Sequence, residues 1–259
     1  MSPALDPALV GLGLMVGALV GLTGMGGGSL LTPLLILVVG IRPVVAVGTD
    51  LAFAALTKAA GSWQHARSGT ADLRLVQQLA YGSVPGAILG AQLVGGLQAL
   101  GGALADAVIA RVLGVLLVFA AAANLLQSRG PVSETEPASP PAGGGISLLG
   151  LCIGVLVSVS SVGAGTVLMP TLTLRYRLPA VRAVGTDVVH GALLSLVAAM
   201  GHVARGGIEL PLLGSLLVGS LPGVVAASWV CRRLANRPLR AGIAFVLAVS
   251  GLRLLVAGV

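Results

Sequence analysis

The sequence predicts an all-α polytopic membrane protein made of two homologous four-segment repeats. Three observations predict it. The 259 residues are 56% hydrophobic and only 9% charged, with a mean hydropathy of +1.03. A soluble domain carries about 25% charged residues. Apolar runs recur along the whole length, and the second half of the chain repeats the first.

The apolar segments fall at 8–39, 43–65, 74–99, 104–127, 145–175, 180–203, 210–231 and 238–257. A helix crosses the ~30 Å hydrocarbon core with about 20 residues, so most of these fit one crossing. The first and fifth are too long for one straight helix. Within the first, residues 24–33 read GMGGGSLLTP. Residues 8–22 give about 22 Å of helix and residues 29–40 about 18 Å, each too short to span. The segment is therefore expected to be a glycine-broken helix or a re-entrant hairpin. Residues 128–145 (SRGPVSETEPASPPAGGG) carry four prolines and no apolar period. They are expected to form a flexible linker between a first repeat over 1–127 and a second over 146–259.

The repeat is read from residues. An offset of 137 carries Asp50 onto Asp187, and the register then holds without a gap. Gly26 falls on Gly163, Gly28 on Gly165, Ser29 on Thr166 and Pro33 on Pro170. AVGTD (46–50) recurs at 183–187, His65 meets His202, and GSVPG (82–86) meets GSLPG (219–223). Duplicated membrane halves are the usual plan of a secondary transporter.

Charge excludes other classes. The net charge of +7 suggests nucleic acid, but 14 of the 15 cations are arginines, most of them in or near the short segments between apolar runs. That is loop anchoring, and few aromatics are present to stack bases. In the second repeat Arg175, Arg177, Arg182, Arg232, Arg233, Arg237 and Arg240 share one side against Arg205, so that side is expected to be cytoplasmic. Inverted repeats account for the weaker bias of the first half, although parallel repeats also satisfy the totals. Cys152 and Cys231 lie in apolar runs and offer neither a disulfide framework nor metal spacing, so no metal or cofactor is expected. The N-terminus lacks the basic region of a signal peptide, so the first apolar run is expected to be retained.

The motif order, doubled, resembles the TauE/SafE (sulfite exporter, TSUP) family: a glycine-rich break with a downstream Pro, then AVGTD, a helix ending near His and Gly, and G-x-x-P-G. The second copy departs from it, since SSVGAG (160–165) replaces the fuller GMGGG. The resemblance implies a cell-membrane (inner-membrane) permease, not an enzyme, for sulfite, thiosulfate or organosulfonates, driven by protons. A passive anion channel or an intramembrane lipid-phosphate enzyme are the alternatives. The enzyme would need a clustered nucleophile and base, for which His190 beside Asp187 is the nearest approach in sequence.

Candidate substrate-binding residues are Gly26, Gly27, Gly28, Ser29, Thr49 and Asp50 in the first repeat. Their counterparts are Gly163, Gly165, Thr166, Thr186 and Asp187, to which His190 is added. Bare backbone and a helix start favour an anion. Glycines four apart (Gly13, Gly17, Gly21; Gly82, Gly86, Gly90) are read instead as helix-packing positions. Asp50 and Asp187 are the only acidic residues well inside expected spans, the other six falling at segment ends or in loops. Intramembrane carboxylates are functional candidates, here for proton coupling, although a helix-capping role also fits. Lys58, the only lysine, is read as a counter-charge to the anion or as a structural partner of a carboxylate. His65 and His202 are expected as interfacial caps or as proton-transfer groups. If the anion docks on the glycine break, Gly27→Val should abolish substrate binding in a titration while the protein still folds.

Overall fold

The structure is a computed structural model that describes residues 6–23, 28–127, 144–231 and 236–257. The described residues form helices joined by short turns, with no strand among them. The order is α1 (Pro7–Thr23), α2 (Gly28–Leu37), α3 (Pro43–Arg67), α4 (Leu73–Leu100), α5 (Gly102–Gln127) and α6 (Gly144–Ser160). Two π-helical stretches (Ala164–Leu168, Thr171–Arg175) precede α7 (Ala180–Val203), α8 (Leu210–Cys231) and α9 (Asn236–Ala257). Five of these helices contain stretches long and apolar enough to cross a membrane: Pro43–Arg67, Leu73–Leu100, Gly102–Leu125, Val181–Val203 and Leu210–Ala227. Leu93, Val115, Phe119, Leu196, Val225 and Phe245 project outward. So much exposed apolar surface suits lipid as the outer solvent. The expected linker lies outside the described residues as far as 143, and α6 begins at Gly144, two residues before the expected repeat boundary.

The over-long first segment is divided into α1 and α2, and the fifth into α6 and the π-helical stretches. The backbone leaves the helical region at the second break: Ser161 has φ +60° and Gly163 φ +148°. Only glycine adopts the latter conformation without strain. Pro170 has no N–H and its ring would press on the carbonyl four residues back in an α-helix. The wider π turns on either side of it accommodate that residue.

Glycines decide which helices touch. Gly13 and Gly17 of α1 lie against the backbone of Leu216 and Ser220 on α8, whose Gly219 and Gly223 lie against Val10 and Leu14. Gly82 and Gly86 of α4 lie against Ser147 and Leu151 on α6, whose Gly150 and Gly154 lie against Leu79 and Ser83. Residue numbers rise together in both pairs, so α1 runs parallel to α8 and α4 to α6. In contrast, Gly48 of α3 meets Gly207 and His202 after and on α7, while Gly61 meets Val188. These two helices are therefore antiparallel. So are α5 and α9, where Gly114 meets Leu255 and Gly251 meets Val118.

Helix ends are satisfied across the molecule. The α3 start has no cap of its own, and Asp106 of α5 accepts from the Val44 N–H at 3.2 Å and from Arg42 Nε at 2.9 Å. Asp72 caps α4 by accepting the Leu75 N–H at 3.1 Å. At the far end of α3, exposed Trp63 stacks under Arg67 at 5.2 Å, an arrangement suited to the lipid–water interface.

The glycine contacts make a sharp expectation. A Cβ at Gly82 would collide with the Ser147 carbonyl, whereas one at Gly11 would meet nothing within 4 Å. Gly82→Ala should cost about 1–3 kcal/mol through overpacking. It should lower the Tm in detergent, while Gly11→Ala leaves it unchanged.

Candidate functional site

Buried polar atoms without partners mark the site. They are Asp50 Oδ1, Ser158 Oγ, Ser161 Oγ, Thr166 Oγ1, Asp187 Oδ1 and His190 Nδ1. Buried polar groups in proteins are nearly always hydrogen-bonded, so six in one bundle need an explanation. They come from α3, the end of α6, the break that follows it, and α7.

Asp50 is fully buried. Its Oδ2 accepts a hydrogen bond from the Thr32 hydroxyl on α2, and the unpartnered Ser161 hydroxyl lies close to the same carboxyl. Ser29, also buried, stands one turn before Thr32 on the same face of α2. Gly28 is the first residue of that helix, while Gly26 and Gly27 lie outside the described residues. The Asp50 half-site thus joins the start of one repeat to the break of the other.

Asp187 faces the second break. A Cβ at Gly165 would stand 3.6 Å from its Oδ2, and Thr166 with its unpartnered hydroxyl follows directly. Gly163 is the hinge of this break, with its positive φ. One turn along α7, His190 places Nε2 at 2.9 Å from the Ser83 hydroxyl of α4. If Nε2 accepts from that hydroxyl, Nδ1 carries the proton and becomes a donor. Ser83 therefore sets what His190 can offer.

The two carboxylates are not one cluster. Lys58 packs on Gly191, where an added Cβ would lie 2.8 Å from Nζ, and Gly61 packs on Val188. In this antiparallel register, Asp50 stands level with residue 199 of α7. At 1.5 Å per residue the two acids are roughly 18 Å apart along the helices. Lys58 lies between them, within electrostatic reach of Asp50, Asp187 and His190. It has no ion pair among the described residues, where the salt bridges are Arg42 with Asp106 and Arg182 with Asp72.

Thr49 and Thr186 turn elsewhere. The Thr49 hydroxyl accepts the N–H of Glu209 at 3.2 Å, and Thr186 accepts that of Asp72 at 3.0 Å. Glu209 and Asp72 are themselves 137 residues apart. Each threonine therefore ties its helix to the start of the helix hairpin in the other half. His202 is also engaged: buried, it places Nε2 at 2.9 Å from the Ser158 carbonyl at the end of α6. His65 contacts the Thr70 hydroxyl at 2.8 Å in the turn after α3.

Sequence reasoning missed Thr32, Ser83, Ser158 and Ser161. Ser83 lay within the duplicated GSVPG motif, the one signal available. Thr32 has Met169 as its counterpart, so a search for matched pairs passes over it. A groove of about 500 Å³ lined by Leu89, Leu93 and Leu97 lies on the α4 flank and shares no residue with this polar site. Among the described residues no group of three His, Cys, Asp or Glu side chains converges as a metal site.

Because the Thr186 hydroxyl serves a helix start, Thr186→Val leaves the Asp72 N–H without its acceptor. The cost should be about 1–3 kcal/mol, read as a lowered Tm in detergent.

Comparisons with known proteins agree on one family. The model of the family described as sulfite exporter TauE/SafE matches residues 9–254. The chain is 35% identical over 257 residues to a Bacillus subtilis (strain 168) protein named "Probable membrane transporter protein YjnA", covering 96% of this chain and 99% of the relative. It is 24% identical to "Probable membrane transporter protein YdhB" of the same organism, over 93% of this chain and 96% of that one. A "Probable membrane transporter protein" of Xylella fastidiosa (strain Temecula1 / ATCC 700964) is 26% identical, over 87% and 84%. No solved structure matches. With the doubled glycine breaks, the lipid-suited exterior and a match over nearly the whole length, the chain is a multi-pass membrane protein that belongs to the sulfite exporter TauE/SafE family.

Proposed function

We propose that the protein is a secondary transporter that moves sulfite, thiosulfate or organosulfonate-type sulfur anions in company with protons. The observation that carries this reading is the row of unpartnered buried polar atoms along α3, α7 and the second break. In a lipid-covered bundle such atoms are costly unless a solute or proton visits them. The family match supplies the sulfur-anion class.

The architecture fits two inverted repeats, 1–127 and 146–259. Support comes from the helix directions. The helices α3 and α7 hold equivalent positions in the sequence repeat yet run antiparallel, as do α5 and α9. A two-fold axis lying in the membrane plane relates helices in that way. Direction also favours re-entrant hairpins: α6 and α7 both run parallel to α4, given the pairs Ser83–His190 and Ala91–Gly201. The segment between α6 and α7 must therefore come back part of the way.

Ser83 and His190 form a hydroxyl–imidazole pair, the one observation that favours a hydrolase. A complete triad would need an acid on the other ring nitrogen. His190 Nδ1 and Asp187 Oδ1 are both unpartnered, so the acid is not engaged and transport is the better reading.

Each Asp keeps Oδ1 without a hydrogen bond, and that atom is where a transported proton would reside. In proteoliposomes an imposed pH gradient should drive accumulation of sulfite. Asp50→Asn and Asp187→Asn should retain sulfite binding and exchange but lose gradient-driven accumulation. Uphill accumulation by the double variant would remove these carboxylates as carriers. Equilibration that ignores the gradient in the unaltered protein would mark a passive channel.

A further inference from the structure

The two half-sites carry different chemistry, although the sequence repeat makes them counterparts. Lys58 corresponds to Ser195 and His190 to Phe53, so the one lysine and the one buried imidazole of this region have no equivalents. Both lie on the Asp187 side of the α3–α7 crossing. Lys58 Nζ rests on Gly191, four residues or about 6 Å of helix from Asp187, and about 12 Å of helix from the level of Asp50. On the same side of the crossing are three buried polar atoms without partners: His190 Nδ1 and Asp187 Oδ1, both within electrostatic reach of Lys58, and Thr166 Oγ1, next to the Gly165 that faces Asp187. Asp187 is 7% exposed and His190 0%. At the Asp50 half-site Oδ2 is engaged by Thr32, Oδ1 and the Ser161 hydroxyl are unpartnered, and Lys58 is within electrostatic reach but has its ammonium seated on Gly191.

We infer that the transported oxoanion binds at the Asp187 half-site alone, on the Lys58 ammonium held by Gly191. This rests on the transporter reading and assigns its anion seat. The chemistry is complementary. Lys58 supplies the counter-charge, and the Thr166 hydroxyl and His190 Nδ1–H donate to oxyanion oxygens. Ser83 is a positioning residue: with its hydroxyl donating to Nε2, the His190 proton sits on Nδ1. Asp187 Oδ1, bearing a proton, is a further donor, which places the coupling group at the anion. Gly191 has a specific role here, because a Cβ there would stand 2.8 Å from Nζ and the ammonium would have to shift. The corresponding residue in the first repeat is Ala54.

The test is equilibrium titration of purified, detergent-solubilised protein with sulfite, with Tm measured alongside. Lys58→Gln should weaken binding at least about tenfold, the scale of a lost charge-assisted hydrogen bond. It should do so without lowering Tm, because no ion pair is broken. Gly191→Ala retains every polar group but displaces the ammonium, and alanine favours the helix. It should weaken binding with Tm unchanged or raised, and should add nothing in the Lys58→Gln background. Ser195→Ala, at the matched position, should bind like the unaltered protein. The inference is overturned if Lys58→Gln binds within about twofold of the unaltered protein, or if the Gly191→Ala effect persists in the Lys58→Gln background. Those results would leave the transporter reading intact. If the unaltered protein bound none of sulfite, thiosulfate, sulfate, taurine and sulfoacetate, the sulfur-anion reading and this seat would fall together.

Discussion

The structure depends on backbone-to-backbone approach through glycine. In lipid the apolar surfaces of helices gain nothing by leaving water, so association relies on close packing. Here Gly82 and Gly86 press on α6 while Gly150 and Gly154 press back on α4, and the same reciprocal pattern joins α1 to α8. Each contact crosses between the halves of the chain. Neither half is self-contained, and Ser161 in the break after α6 lies close to Asp50 of the first half.

Long-range hydrogen bonds meet a second difficulty. A helix interrupted within a membrane exposes backbone groups that water cannot reach. Hydroxyls and carboxylates from distant segments take up the loose ends: Asp106 serves the start of α3, and Thr49 and Thr186 serve the segments before α8 and α4. With those ends tied, the polar atoms left over concentrate around Asp50, Asp187 and the second break. The contrast between satisfied ends and an unsatisfied centre separates scaffold from site more clearly than residue type does.

Symmetry and its violation have different consequences. The sequence repeat matches α3 with α7 and Asp50 with Asp187. Lys58, His190 and Thr32 break the match, and electrostatic attraction for an anion cannot then be equal on the two sides of the crossing. The Lys58 ammonium has no carboxylate ion pair among the described residues, whereas Arg42 is committed to Asp106.

The sequence by itself determined the all-helical membrane class, the two long segments that cannot be straight helices, the family, and the 137-residue correspondence that singled out Asp50 and Asp187. These rest on composition, local periodicity and self-similarity, all of which are written along the chain. It also marked Gly13, Gly17, Gly82 and Gly86 as packing positions, because spacing on one helix face is a local property. Only the tertiary structure decided their partners. It turned the hydroxyls of Thr49 and Thr186 toward backbone N–H groups 160 and 114 residues away, and brought Ser83 to His190 across 107. It also set the two carboxylates on opposite sides of the α3–α7 crossing and Lys58 on Gly191. A hydrogen bond needs its atoms within about 3 Å. Which distant atoms come that close follows from how helices pack and in which direction they run, and neither is encoded in any single segment.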